Sequence, residues 1–353
     1  MGIDIGGANT KAVLLETEKT KITKFKVATI YFPIWKNPKA LPEILIKLKT
    51  QLGVNHIDAL GLTLTAELAD TYQTKREGVC DIIACVKVAF SNMPIFVLTT
   101  DAELLPIEAA EKNPLHVAAA NWAATGWLMT QYLKHAIIVD VGSTSTSIIP
   151  IINQQVVARG KTDLDKLIYG ELVYTGSLRT NIPAIVHFIP TKNGDATVSS
   201  ELFALSADVH LVLKNISVTD YTSETADGRG KTLAEAYARL ARVVCADTDM
   251  LTTKEITQMA KYIHEQQINQ IAQGIVKTHT YLKTHTADQI PVVVTGLGKN
   301  FLAYKAAEKI GIDVIIDLDT LLPKGATLAT PATGVAWMIT AKLAEEISHT
   351  VNP

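Results

Sequence analysis

One short pattern occurs twice in this chain, and it limits the folds open to it. Ile3-Asp4-Ile5-Gly6-Gly7-Ala8-Asn9-Thr10 recurs as Val139-Asp140-Val141-Gly142-Ser143-Thr144-Ser145-Thr146, each residue 136 positions after its counterpart. In both copies an apolar run delivers an aspartate, then a glycine, then small hydroxyl or amide residues, then a second β-like run. A lone Asp-x-Gly hairpin is common and carries little. Two in corresponding places imply two related halves, against the alternative of two ordinary hairpins that look alike. A tight turn between strands bares successive backbone N–H groups, the arrangement that cradles phosphate oxygens. A carboxylate at the strand end can hold magnesium against the same phosphates.

The 353 residues allow about two domains. Strand-like and helix-like segments alternate, which predicts an α/β fold. A helix is expected near 41–52, where Leu41, Ile44, Leu45, Leu48 and Leu52 keep helical spacing. DALGLTLT and PIFVLTT read as strands, and LHVAAANWAATGWLMTQYL as one alanine-rich helix. Lys19, Lys21, Lys24 and Lys26 alternate with apolar residues, as on an edge strand. The expected division is a first half over 1–134, a second half over 135–332 with a substrate segment inserted at about 160–230, and a C-terminal helix over 333–353 returning to the first half.

A net charge of −2 gives no footprint for nucleic acid, and 48% hydrophobic residues exclude disorder. With no apolar run of membrane-spanning length and no signal segment, a cytoplasmic location without membrane partners is expected. Oligomeric state is not legible. Cys80, Cys85 and Cys245 lack zinc spacing and are expected as buried thiols of a reducing compartment. His279 and His285 share no helix face, His187, His210 and His264 stand isolated, and no metal cluster of histidines is expected.

The repeated turns nominate Gly6, Gly7, Asn9 and Thr10, with Gly142, Ser143 and Thr144, as phosphate contacts, and Asp4 and Asp140 as magnesium ligands. Lys11 either adds a phosphate contact or faces solvent. Gly296 and Gly298 lie between a strand and a helix N-terminus, a natural anion contact, without the third glycine of a dinucleotide fingerprint. Glu67 and Asp70 follow the LGLTLT strand, where an α/β fold presents side chains to ligands. They share a face if a helix begins there, and otherwise simply favour a helix N-terminus. Lys75 and Arg76 could meet phosphate or carboxylate. Asp163, Glu171 and Arg179 flank a stretch bearing Gly and Tyr that reads as a substrate-facing loop.

Five of the six arginines (Arg159, Arg179, Arg229, Arg239, Arg242) crowd one region, a hint of anion binding set against ordinary salt bridges. Arg229 is the one assigned to phosphate. Gly228–Thr232 is not a P-loop, because Thr225 stands where glycine is required. Thr232-Leu233-Ala234-Glu235 reads instead as a capping box for a helix that turns Leu233, Tyr237, Leu240 and Val244 to a core.

With GIDIGGANTKAV, TAELADTYQTKREGV, VDVGSTSTSIIPI, GELVYTGSLRT, SADVHLVLKN and TADGRGKTLAEAYARLARVVCAD, the chain resembles the actin, Hsp70 and sugar-kinase superfamily in its hydantoinase/oxoprolinase-like branch. Within that branch it resembles proteins linked to tetrahydromethanopterin-dependent one-carbon metabolism, a group that includes a synthase acting late in methanofuran assembly. The resemblance implies two RNase H-like halves about an interdomain cleft, with magnesium. It also implies a transferase that joins an aminomethylfuran-methyl diphosphate to the phenol of γ-glutamyltyramine and releases diphosphate. Glu67, Asp70 and Asp163 are then the catalytic candidates. Adjacent glycines normally form the superfamily's nucleotide-base motif. Leu297 splits Gly296 from Gly298 here, which argues against ATP and for a diphosphate ester. An ATP-dependent kinase or amidohydrolase is the alternative, and a non-catalytic nucleotide sensor a third reading.

Overall fold

The computed structural model describes residues 1–18, 21–54 and 56–351. Lys19 and the last two positions of the expected C-terminal helix lie outside the described residues. The chain forms two compact units. One comprises Met1–His135, Ile149–Asp165 and the chain from Leu318 onward; the other comprises Ala136–Ile148 and Lys166–Asp317.

In the first unit, β1 (Gly2–Ile5), β2 (Asn9–Glu18), β3 (Lys21–Tyr31), β4 (Leu60–Leu64), β5 (Ile95–Leu98) and β6 (Leu104–Pro106) form a sheet of order β3-β2-β1-β4-β5-β6. β1, β4 and β5 run parallel, whereas β2, β3 and β6 are each antiparallel to a neighbour. The lysine-bearing β3 is an edge strand, with Lys24 paired to Glu16 at 2.5 Å. Helix α1 (Leu41–Leu52) buries Leu41, Leu45, Leu48 and Leu52 and stops at Gly53, whose φ of 61° suits a left-handed cap. α2 (Lys75–Ala89) follows, its N-cap Thr74 accepting from the Glu77 N–H. The alanine-rich stretch is not one helix. After α3 (Ile107–Lys112), α4 (Pro114–Val117) and α5 (Asn121–Thr130) are separated by a turn in which Ala119 takes a φ of 52°. A run apolar on every side has no periodicity to mark such a break.

Further along the chain lie β7 (Ala136–Val141), β8 (Thr146–Ile152), β9 (Gln155–Val156), β10 (Leu172–Val173), β11 (Phe188–Thr191), β12 (Gly194–Thr197), β13 (Val292–Thr295) and β14 (Ile315–Asp317). The second sheet has the order β10-β8-β7-β13-β14, with β7, β13 and β14 parallel and β10 antiparallel to β8. Third, second, first, fourth, fifth is the arrangement of β3-β2-β1-β4-β5 as well, so the short repeat marks the start of two sheets built alike.

Helices α6 (Asp163–Tyr169), α7 (Ser206–Val212), α8 (Leu233–Arg242), α9 (Thr253–Lys283) and α10 (Tyr304–Lys309) follow in order. The expected insert contributes Leu178 and Val209 to a second core, which Leu240 of α8 and Ile256 and Ile263 of α9 complete. The capping box is present: Thr232 and Glu235 satisfy each other's backbone N–H at the start of α8. Leu233, expected in the core, is exposed at the first turn, while Leu240 is buried. Arg239 is fully buried and pairs with Asp208 at 2.8 Å and Asp227 at 3.2 Å; Arg242 reaches Asp227 at 3.2 Å. Two of the crowded arginines therefore hold a fold element. Burial raises the Asp208 carboxyl above its usual range, against the opposing pull of Arg239.

The second unit begins at Ala136, beside the expected 135, but it ends at Asp317 rather than 332 and excludes Ile149–Asp165. Ile149 and Val156 pack so closely on Gly126 of α5 that a Cβ there would meet their methyls at 3.0 and 2.8 Å. The Gln154 N–H bonds the Lys134 carbonyl at 2.9 Å, and Lys161 pairs with Asp101 at 2.7 Å. These contacts hold Ile149–Asp165 in the first unit. So does the final helix, α11 (Thr330–Val351), which packs on β1, β2, β4 and α5. The thiols are also corrected: Cys80 and Cys245 are exposed and Cys85 half-buried. Among the described residues, no helix is long and apolar enough to cross a membrane.

Two strand glycines let α11 lie directly on the sheet. A Cβ on Gly2 would sit 2.2 Å from the Ala332 carbonyl, and one on Gly61 would sit 2.3 Å from Val335 Cγ1. Gly61→Ala should therefore destabilise the protein by about 1–3 kcal/mol through overpacking. Gly7→Ala, whose Cβ would meet nothing within 4 Å, should be neutral or stabilising by up to about 1 kcal/mol. Urea unfolding of both variants checks the contrast.

Candidate functional site

The two repeated turns share their hydrogen bonds as well as their sequence. Gly6 N–H donates to the Asn9 carbonyl at 3.0 Å, and Gly142 N–H to the Ser145 carbonyl at 3.0 Å. In each unit the segment after the third strand then fastens the turn's carbonyls. Phe32 and Ile34 N–H groups reach Ala8 and Gly7 at 2.9 and 3.0 Å; Ser177 N–H reaches Gly142 at 2.9 Å, while Leu178 and Arg179 both reach Ser143, at 2.9 and 3.0 Å. With the carbonyls held inward, the N–H groups of Gly7, Ala8, Ser143 and Thr144 donate to no acceptor among the described residues. Gly6, Gly7, Asn9, Gly142, Ser143 and Thr144 are all partly accessible. Thr10 is not. It is fully buried on β2, as is its counterpart Thr146, whose hydroxyl donates to the Thr175 carbonyl at 2.8 Å.

Each turn carries one aspartate at the strand end. Asp4 is buried and lies opposite Lys11 on β2 and Thr63 on β4. Lys11 therefore shares a sheet face with Asp4. Asp140 lies opposite Thr295 on β13, next to Gly296, whose φ is 85°. A Cβ at 296 would sit 2.5 Å from Asp140 Oδ1, so glycine keeps space there. Magnesium is usually held by one or two carboxylates with phosphates and water, and the single strand-end aspartate beside the turn in each unit fits that mode. It does not fit a metal held by protein alone, since no group of three or more His, Cys, Asp or Glu gathers among the described residues.

Gly296 and Gly298 serve close packing as well as any ligand. A Cβ on Gly298 would meet Val141 Cγ1 at 2.4 Å and Ser177 Oγ at 2.6 Å. The helix expected after them opens as a π turn, Lys299–Ala303, before α10. Lys299 is bound by both Asp317 oxygens at 2.8 Å.

The carboxylates divide sharply. Glu67, three residues beyond β4, is 1% exposed, and neither of its oxygens has a hydrogen-bond partner among the described residues. Its nearest cation is Lys75 at the start of α2, 3.6 Å away. Lys75 in turn meets Asp163 at 2.5 Å. A Cβ on Gly78 would sit 2.4 Å from the Glu67 carbonyl, so α2 presses on the Glu67 backbone and fixes it. Burial pushes the Glu67 carboxyl up to about 7, against the lowering effect of Lys75. For Lys75, burial acts to lower the ammonium, but the Asp163 hydrogen bond and charge outweigh it and raise it.

Of the sequence candidates, then, Glu67 and Asp163 come together through Lys75. Asp70 does not join them, because 67–70 is a turn rather than a helix, and Asp70 is exposed. Arg229 is exposed on the loop before α8, where its own N–H bonds Asp227 at 3.2 Å. Glu171 is fully buried, and the expected loop around it is α6 and β10. His210 and His264 are not isolated: their rings stand 5.4 Å apart beside Phe301, and burial pushes His210 down to about 3. Sequence reasoning missed Gly176, where a Cβ would sit 2.5 Å from the Thr144 carbonyl carbon, and Ser177 beside it; the Gly-Ser pair after a short strand was the available signal.

A hydantoinase/oxoprolinase family model matches residues 58–341. The chain is 38% identical over 346 residues to the (4-{4-[2-(γ-L-glutamylamino)ethyl]phenoxymethyl}furan-2-yl)methanamine synthase of Methanocaldococcus jannaschii, covering 97% of this chain and 98% of that one. It is 32% identical over 218 residues to a Methanococcus vannielii protein of the same name, covering 61% of this chain and 96% of that one. Among solved structures, a nucleotide-free acetone carboxylase superposes with a TM-score of 0.51 at 12% identity, over 92% of this chain and 51% of that one. That likeness concerns fold alone. The two sheets of like strand order agree with the α/β fold of two related halves expected from the repeat.

The raised Glu67 carboxyl sets a pH dependence. The folded state binds a proton that the unfolded state has lost between about pH 4.5 and 7, so stability falls as pH rises through that window. Glu67→Gln should be more stable than the parent at pH 8, by up to about 3 kcal/mol, with the gain vanishing near pH 4.5. Urea unfolding at the two pH values measures it.

Proposed function

Because the chain belongs to the hydantoinase/oxoprolinase family, we propose that it is a cytoplasmic transferase that builds the aryl ether named in its methanogen relatives. Similarity to the Methanocaldococcus jannaschii synthase over 97% of the chain carries this reading. A phenoxymethylfuran contains an ether between a phenol oxygen and a furan methylene. Its formation from γ-glutamyltyramine and an aminomethylfuran-methyl diphosphate makes the new C–O bond, breaks the bond from methylene to diphosphate and sends that electron pair to the leaving oxygen. The phenol proton goes to a base.

The chemistry asks for charge stabilisation on diphosphate, and the acceptor-free N–H groups of Gly7, Ala8, Ser143 and Thr144 support that role. Asp4 and Asp140 are the residues that would hold magnesium, which supplies further neutralisation of phosphate charge when bound. Positive charge on the methylene is delocalised into the furan, so the protein's task there is positioning and exclusion of water.

Glu67 is the base. A phenol titrates near 10, so an ordinary carboxylate is a weak acceptor for its proton; a carboxyl raised to about 7 is better matched, and about half of it is ionised at neutral pH. Lys75, 3.6 Å away and anchored by Asp163, keeps positive charge beside the developing phenolate.

Diphosphate release should require both substrates and magnesium, and its rate should rise with pH through about 7. Glu67→Gln should lower kcat by about 10²–10⁴-fold. Turnover of ATP without diphosphate release from the furan ester would contradict the reading and favour an ATP-dependent member of the superfamily.

A further inference from the structure

The two turns share a backbone but not a donor set. In the first, the N–H that reaches Gly7 belongs to Ile34, a fully buried apolar residue. In the second, a corresponding N–H to Ser143 belongs to Arg179, which is half-buried and whose guanidinium also donates to Thr144 Oγ1 at 3.3 Å. Where the first turn has Gly7 and Ala8, the second has Ser143 and Thr144, whose hydroxyls stand 3.5 Å apart. Ser177, whose N–H fastens the Gly142 carbonyl, is fully buried, and its Oγ has no hydrogen-bond partner among the described residues. The neighbouring cation, Lys299, is engaged by both oxygens of Asp317.

We propose that Arg179 is a diphosphate-recognition residue, which makes the second turn a binding site for a multiply charged phosphate group. The inference deepens the function proposed above and rests on it for the identity of the anion. The turn supplies the Ser143 and Thr144 N–H groups and two hydroxyls; Arg179 adds a planar fork of donors that matches phosphate oxygens. Its backbone N–H fastens the same turn that its guanidinium borders, so loop and cation are positioned by one residue. The first turn, lacking such a group at Ile34, has the poorer donor set for anions of high charge.

The test is calorimetric titration of the full chain with inorganic diphosphate, using orthophosphate for comparison. Arg179→Gln should weaken diphosphate roughly ten-fold or more, and Arg179→Lys, which keeps the charge without the fork, should fall between it and the parent. Lys305→Gln removes an exposed charge elsewhere and should change affinity less than about two-fold. A purely structural Arg179 would lower the melting temperature while leaving the affinity of the folded variant intact, and that result overturns the proposal. So does an equal loss in Lys305→Gln.

Failure of the functional reading looks different. Arg179-dependent diphosphate binding by a protein that releases none from the furan ester leaves this inference standing and removes the reaction. Release by the parent enzyme, with unchanged diphosphate affinity in the folded Arg179→Gln or Arg179→Lys variant, does the reverse.

Discussion

The structure turns on how each Asp-x-Gly turn is tied down. Backbone donors from the segment after the third strand take the turn's carbonyls, and the N–H groups of the next residues are left with no protein acceptor. Buried or half-buried N–H groups without partners are costly and uncommon, so a fold that repeats the same deficit in two sheets has a reason for it. In the proposed function, an anion takes up those donors. The strand order, the aspartate before the glycine and the threonine opposite each aspartate all recur around it.

Two buried charged groups illustrate opposite uses of low dielectric. Arg239 is enclosed among counter-charges, with Asp208, Asp227 and the Gly230 carbonyl around it, and it binds the loop before α8 to the second core. Glu67 is as deeply buried and poorly provided for, with its nearest cation at 3.6 Å. The first arrangement sets a guanidinium against two carboxylates and holds a fold together. The second raises the carboxyl's pKa to about 7, near the working pH, where an ionised carboxylate is best matched to accept a proton.

How much of this could be read from the chain depended on distance along it. The repeated turns, α1, the edge strand and the capping box were legible because each is written within a dozen residues. Glu67 was legible as a strand-end carboxylate, but its link to Asp163 runs through Lys75, which lies 88 positions before Asp163, and follows no local pattern. The recurrence of threonine at 63 and 295 was hidden because the insert lengthens the second unit and breaks the constant offset. Helix α6 was missed for a different reason. It buries Lys166 and exposes Leu164 and Ile168, the reverse of the polarity that reveals a surface helix. His210 and His264 come together only because α7 and α9 pack, a tertiary fact with no spacing rule behind it.

The central claim is that the repeated turns are anion cradles made of backbone. Amide-resolved NMR of the protein labelled at these positions, titrated with inorganic diphosphate, tests it most directly. The account predicts that the N–H resonances of Ser143 and Thr144 move first and furthest, with Gly7 and Ala8 among the remaining responders. Saturable shifts confined to other amides, with these four unchanged, would contradict it.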